Sequence, residues 1–492
     1  MFNNSAIIQS LNISMGAVLP VVLMSILAVV VLVVDLFLKR ENKCALGIVT
    51  IIGLIIILPV AAMTIDPAPS YGGMVIADGY AAFFNIVFII AAIFAVFISN
   101  DYLRKSSSER GEYYYIIIFA TIGMMVMASA NDLVNLYVGL ELMSLSFYIL
   151  VAMRRSAKGA EGALKYFILG ALSSGILLYG ITFVYGFTGT TNLTEIARMG
   201  MNLSYVSPYM LMAIIMLGVG FAFKIAAFPF HTWSPDAYEG APTPVTALLS
   251  VGSKAAAFAF FIRFFGVAFH DFHQHWVWLL WGLSAATMLF GAVAAITQKN
   301  IVRMLAYSSI SHAGIILMGV VIMSGSAASG IMFYLFVYAF MNMGAFTVVA
   351  LMAKGDGKGE SVGDYKGLAG RRPVIAFIMA LFMLSLAGIP PTGGFTAKFF
   401  ILASAIEGQY YWLAAIGVIS TAISLFFYVR VIFYMYMKEP DEVDDMAIVA
   451  PPPPAFAYNV ILLITAVSTI LLGLCPTPVM DMAIAAVKPL LM

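Results

Sequence analysis

The chain has 492 residues, 62% of them apolar and 10% charged, and a net charge of +1. Soluble domains carry about 25% charged residues and at most about 50% apolar ones, so at a mean hydropathy of +1.00 the bilayer must be the solvent for most of this chain. The near-zero net charge excludes a nucleic-acid binder. Two cysteines, Cys44 and Cys475, cannot supply the ligands of an iron–sulfur cluster or a structural zinc site.

A spanning helix needs about 20 apolar residues. In chain order, fourteen stretches qualify: 16–38, 44–63, 76–98, 113–130, 131–152, 162–187, 208–228, 244–269, 276–297, 301–323, 327–353, 374–402, 410–437 and 455–475. The fourth and fifth leave almost no linker, so a tight turn falls near Asn131 and Asp132. The first sixteen residues hold no Lys or Arg. Without a basic n-region the first stretch reads as a retained span, not a cleaved signal. Seventeen Lys and Arg residues fall in one set of alternate loops and only two, Arg198 and Lys488, in the other. By the positive-inside rule both termini then face away from the cytoplasm. The segment 354–373 reads as a connector without phosphate-loop spacing, and PPPP at 451–454 as a stiff lead-in to the last span. His270, Asp271, His273 and His275 lie beside Trp276, Trp278 and Trp281. They read as a polar interfacial loop next to an aromatic belt.

Ionisable residues inside the spans carry the functional signal. A charge at a helix centre costs roughly 2.5–3.5 kcal/mol and usually faces a wet path or an ion partner. Glu141 and Lys254 each lie about ten residues inside a span, and His312 sits mid-span in SSISHAG. Lys224 and Lys398 lie in spans interrupted by proline: GVGFAFKIAAFPFHTW, with Lys224 five residues before Pro229, and LAGIPPTGGFTAKFF, with Lys398 eight residues after Pro390. Proline frees carbonyls that protein or water must satisfy at membrane depth, and a lysine ammonium is a natural partner. Lys165, Arg263, Asp35 and Arg430 lie nearer span ends, where long side chains can reach the headgroups.

The interrupted spans are the seventh and twelfth, each the fourth of a five-span block. An odd block length inverts the second block against the first, and matched interruptions in inverted repeats mark an ion path at the midplane. The expected architecture is therefore an all-α membrane protein of about 14 spans, divided into a three-helix segment (1–112), a first repeat (113–269), an inverted second repeat (270–438) and a connector with the last helix (439–492). With Glu141 and Lys224 at about 6 Å and an effective dielectric of about 20, their attraction is about 2.8 kcal/mol. Lys254 could receive a proton released there, His312 relay it and Lys398 store it, with Ser308, Ser309 and Ser311 bridging gaps. No carboxylate cage for sodium is visible, so a proton is the preferred ion.

The blocks FPFHTWSPDAYEGAPTPVTALLSVGSKAAAFAF (228–260), GIPPTGGFTAKF (388–399) and NLYVGLELMSLSFYILV (135–151) resemble the antiporter-like membrane subunits of respiratory complex I. Within them the chain is most similar to the chain N branch of NADH–quinone oxidoreductase, to which mitochondrial subunit 2 also belongs. The resemblance covers the whole chain. It implies fourteen helices with two inverted five-helix repeats, and proton translocation coupled to quinone reduction in neighbouring subunits. It places the family's glutamate on Glu141 and its lysines on Lys224, Lys254 and Lys398, with a further one on Lys165. Lys398 stands where sister subunit M carries glutamate, and the chain stops short of the lateral helix of sister subunit L. The resemblance also implies that NADH, flavin, iron–sulfur clusters and quinone bind in other subunits. Multisubunit cation/proton antiporters and ferredoxin- or F420-linked dehydrogenases have related chains and stand as alternatives. A solute transporter would need a substrate clamp, and a pure scaffold would tolerate loss of Glu141 or Lys224.

Overall fold

A computed structural model describes residues 13–39, 43–105, 110–200, 207–353, 359–439 and 456–490. The proline run 451–454 and the start of the 354–373 connector lie outside the described residues. Among the described residues, twelve helices are long and apolar enough to cross a membrane. In chain order the first six are α1 (Met15–Phe37), α2 (Cys44–Met63), α3 (Gly79–Lys105), α4 (Glu112–Ser129), α5 (Leu133–Ala152) and α6 (Ala157–Thr188). A short helix, α7 (Leu193–Gly200), follows.

The seventh sequence span, 208–228, stops as a helix at Lys224, giving α8 (Pro208–Lys224), and beyond the break, past the end read for that span, comes the short helix α9 (Trp233–Gly240). Then come α10 (Thr243–Ala268), α11 (His273–Ile296), α12 (Ile301–Ile322) and α13 (Gly325–Met352). The twelfth span is likewise split, into α14 (Pro373–Ala387) and α15 (Gly393–Glu407), and α16 (Tyr411–Met437) and α17 (Phe456–Leu474) follow. The interruptions expected from the prolines are present. Each half is too short to cross by itself.

Capping explains several boundaries. Asp132 accepts from the amides of Val134 and Asn135 at 2.8 and 3.2 Å, starting α5 with only three residues between it and the end of α4. This is the tight turn read from the sequence, built on an ordinary N-cap. Ser156 caps α6 through the Gly159 amide at 3.0 Å. That helix therefore begins five residues before the 162 read from apolarity, with a polar first turn held by its cap. Three elements escaped the apolarity reading because they are too short to span: α7, the helix α18 (Thr477–Val487), and an antiparallel hairpin of β1 (Asp66–Ser70) with β2 (Val75–Ala77).

Helix α10 is wholly interior, α12 and α13 nearly so, whereas α1, α2, α16 and α17 expose most of their surface. The centre of the bundle is thus made by the helices that carry Lys254 and His312. Arg263, at the far end of α10, also corrects an expectation. It does not reach for headgroups. Its guanidinium is 2% exposed and donates to Asp78 Oδ1 and Oδ2 at 2.9 and 3.0 Å and to the Ala128 carbonyl at 3.2 Å. The side chain lies over the Tyr80 ring at 5.0 Å. Asp78, before the first turn of α3, was the partner that turned the long side chain inward.

Candidate functional site

Lys224, Lys254, His312 and Lys398 are all buried, none more than 4% exposed. Each has a different partner. Lys224 ends α8, and its ammonium donates to Ser144 Oγ at 2.8 Å. Ser144 is three residues beyond Glu141 on α5, so the two share a helix face. Glu141 is the carboxylate whose charge reaches Lys224, yet the two make no direct ion pair, and the ammonium bonds the Ser144 hydroxyl. Glu141 itself is half-buried, and its Oε1 is buried without a hydrogen-bond partner. Val138, Leu145 and Ile149, at spacings that share its helix face, are 57%, 49% and 51% exposed. Glu141 therefore stands at the edge of the chain's own packing.

Lys254 lies in the interior of α10, just after a π-helical turn over Leu249–Ser253. Such turns break the regular ladder and recur at functional sites. Its ammonium donates to the Ser309 carbonyl at 2.6 Å and to the Ser309 hydroxyl. In the π turn, Ser250 Oγ accepts from Asn342 Nδ2 at 2.6 Å.

His312 is held at both ring nitrogens. Nδ1 lies 2.5 Å from the Tyr334 hydroxyl and Nε2 3.1 Å from the Tyr428 hydroxyl, which also meets Ser308. The ring packs on Tyr338 at 5.3 Å. Lys254 and Lys398 both act on it electrostatically. Ser308, Ser309 and Ser311 divide their work: Ser308 faces Tyr428, Ser309 faces Lys254, and Ser311 meets Ser420 at 3.1 Å.

Lys398 closes the row. Its ammonium donates to the carbonyls of Leu386 and Ala387 at 2.9 and 3.0 Å. These belong to the last turn of α14, where carbonyls lose their helical partners.

Lys165 stands apart. It is 44% exposed and pairs with Glu161 at 2.6 Å and Asp236 at 2.7 Å. Arg303 bridges Asp236 and Glu239 at 2.6 and 3.0 Å, and Lys158 reaches Glu239 at 2.7 Å. These pairs peg α9 between α6 and α12. Burial pushes the carboxyls of Asp236 and Glu239 up. The hydrogen bonds from Lys165 and Arg303 to Asp236, and from Lys158 and Arg303 to Glu239, outweigh it and hold both below the usual carboxylate range. Arg430 donates to the backbone carbonyls of Ile296 and Gln298 at 2.5 and 2.6 Å.

The sequence reading missed Ser144, Tyr334 and Tyr428. Ser144 had a local signal, its spacing from Glu141. The tyrosines had none, since their hydroxyls meet His312 only through tertiary packing. Among the described residues no group of His, Cys, Asp and Glu could hold a metal ion. His273, expected in a loop, is the first residue of α11, and its Nε2 lies 3.0 Å from the Val321 carbonyl.

A family model described as NADH:quinone oxidoreductase/Mrp antiporter, TM matches residues 130–424, the stretch that contains Lys224, Lys254, His312 and Lys398. A protein of Trichlorobacter lovleyi named NADH-quinone oxidoreductase subunit N is 43% identical over 99% of both chains. The chain belongs to the subunit N family of NADH-quinone oxidoreductase. A second member, from Desulforamulus reducens, is 42% identical over 95% of this chain and 97% of its own. A chain of respiratory complex I from Thermus thermophilus with bound aureothin superposes with a TM-score of 0.80 at 29% identity, covering 95% of this chain and all of that one. The family is thus similar along its whole length, in sequence and in fold, and the chain is a multi-pass membrane protein.

Proposed function

We propose that the chain is the proton-translocating subunit N of a bacterial NADH–quinone oxidoreductase, passing protons along Glu141, Lys224, Lys254, His312 and Lys398. The observation that carries this reading is the row of four buried ionisable groups, each hydrogen-bonded to hydroxyls or carbonyls and none neutralised by a direct ion pair. Burying an unpaired cation costs free energy that a scaffold has no reason to spend. Lys165 contributes by holding α9. Fourteen spans in two inverted five-helix repeats, covering 113–269 and 270–438, give the two broken spans equivalent places. The subunit sits in the inner membrane with both termini on the periplasmic side.

Quinone reduction drives the protons from neighbouring subunits, which hold NADH, flavin, iron–sulfur clusters and quinone. Glu141 supports a neighbour within the bilayer, because a residue with a carboxylate, only partly covered and amid exposed Val138, Leu145 and Ile149, is costly against lipid. Two measurements test the reading. The native assembly should show flavin and iron–sulfur absorbance, and Glu141→Ala or Lys224→Ala should abolish most proton translocation while the complex still assembles. Full translocation in both variants would leave a scaffold.

A further inference from the structure

Among the described residues no hydrogen bond joins the Lys224 site to the Lys254 site, and the short helix α9 packs against both α5, which carries Ser144, and α12, which carries Ser309. The first residue of α9 is tied to the Lys224 end of α8, since Trp233 Nε1 donates to the Phe223 carbonyl at 3.0 Å. The next residue, Ser234, and Tyr238 four positions later share one face. Ser234 is 0% and Tyr238 1% exposed, and neither hydroxyl meets a partner at full hydrogen-bonding geometry. The polar groups beside the Tyr238 hydroxyl are Ser234 on its own helix and Ser309 on α12. Ser309 in turn holds the Lys254 ammonium. The Tyr338 hydroxyl, also unpartnered, lies beside Ser309 from the His312 side. Leaving a buried hydroxyl unbonded costs about 1–3 kcal/mol, so two such phenols beside Ser309, with Ser234 beside one of them, mark a place where the interior is built for water and proton exchange.

We propose that Tyr238, flanked by Ser234 and Ser309, transfers protons between the Lys224 and Lys254 halves of the path. The inference rests on the proposed translocation and names the residue that joins its two halves. In one transfer a proton arriving from the Ser234 side binds a lone pair of the Tyr238 oxygen. The original phenolic proton leaves to Ser309 Oγ, and the Ser309 proton forms the new N–H bond on neutral Lys254. No electron moves, and rotation of the hydroxyls resets the chain. The ion pairs of Asp236 and Glu239 with Lys165, Lys158 and Arg303 hold α9 so that the bridge spans both repeats.

The test uses the assembled complex in proteoliposomes, with Tyr238→Phe, Ser234→Ala, Lys254→Met and Tyr365→Phe compared. Tyr365 is a control: its hydroxyl is also buried and unpartnered but sits at the end of the short 3-10 helix Val362–Tyr365. Tyr238→Phe should lower proton translocation about tenfold, below the effect of a lost acid–base group because water can bypass the phenol. It should also enlarge the slowing in deuterium oxide. Ser234→Ala should move both readouts the same way by less, and it carries the test alone if Tyr238→Phe does not assemble. Tyr365→Phe should move neither. Parental translocation and isotope effect in the assembled Tyr238→Phe and Ser234→Ala variants, or an equal loss in Tyr365→Phe, would overturn the proposal. If Lys254→Met stops translocation while the two α9 variants do not, the bridge fails and the lysine row stands. If Lys254→Met is also silent, the row itself fails.

Discussion

The two broken spans present the same problem and solve it in opposite ways. Each break leaves carbonyls without helical donors deep in an apolar protein. At the α8–α9 break the chain serves itself: the amides of Ile225 and Ala227 bond Phe221 and Ala222 at 3.1 and 2.8 Å, and the Trp233 indole takes Phe223. Lys224 is thereby left free to bond Ser144 under the field of Glu141. At the α14–α15 break the amides of Gly388 and Ile389 both turn to Leu384, at 3.0 Å, and Lys398 becomes the donor for Leu386 and Ala387. A similar placement of lysine beside proline therefore has two meanings. One lysine is available for charge transfer with a carboxylate, while the other is part of the backbone's own hydrogen-bond accounting. A neutral amine keeps two N–H bonds, so Lys398 can lose a proton and still serve both carbonyls.

This contrast can be broken by substitution. The largest effect is expected at Lys398. Lys398→Ala strands two buried carbonyls, which at about 1–3 kcal/mol each gives about 2–6 kcal/mol of destabilisation. Thermal unfolding of the detergent-solubilised complex should show it, together with reduced amounts of assembled subunit. Lys224→Ala strands no carbonyl. It should assemble normally and yet lower proton translocation about tenfold or more, as expected for loss of a positioned proton carrier. If both variants lost assembly alike, the division of labour would be wrong.

A third substitution probes how far the α8–α9 break serves itself. Trp233 stacks on Tyr166 with ring centroids 4.3 Å apart while its indole N–H bonds Phe223. The Phe223 carbonyl also accepts from the Ala226 amide at 3.0 Å, so Trp233→Phe, which keeps an aromatic ring but removes the indole donor, leaves that carbonyl bonded and should cost only about 1 kcal/mol. Thermal unfolding should show a smaller loss than in Lys398→Ala, and a water-resolved structure should show the Lys224 ammonium still on Ser144. An ammonium drawn to the Phe223 carbonyl, with translocation lowered, would mean that the indole is what keeps Lys224 available to Glu141.

Much of this was readable before any coordinates, for identifiable reasons. Membrane helices advertise themselves through length and apolarity, and the turn at Asn131 and Asp132 through the absence of a linker. The breaks at Pro229 and Pro390 follow from missing amides. Charges in hydrocarbon are costly enough that Glu141, Lys224, Lys254 and Lys398 stand out singly. What stayed hidden was pairing. Arg263 near a span end reads as a snorkelling residue until Asp78, 185 positions earlier, is found against it. Lys165 belonged to the same row of residues on paper, yet its partners Glu161 and Asp236 place it in a partly exposed lattice. The hydroxyls of Tyr334, Tyr428 and Tyr238 look like ordinary core aromatics, since nothing in local sequence says which phenol will face a histidine or a lysine.

The smallest expected effect concerns the pegs of α9, which have no counterpart among the described ion pairs around α15. Asp236 and Glu239 have carboxyls held below the usual range by Lys165, Lys158 and Arg303 against the opposing push of burial. A depressed folded-state value means the ionised carboxylates favour the folded state. Their contribution is therefore complete above the ordinary carboxylate value of about 4 and is lost only as pH falls through the lower, folded value. At neutral pH the pegs are fully engaged and insensitive to small pH changes. Because these groups are partly exposed and screened, Asp236→Asn should cost no more than about 1 kcal/mol. It should flatten the acid limb of the stability curve, while translocation at neutral pH stays near the parental rate. A large loss of translocation there, with stability intact, would mean that Asp236 handles protons itself instead of holding the helix that does.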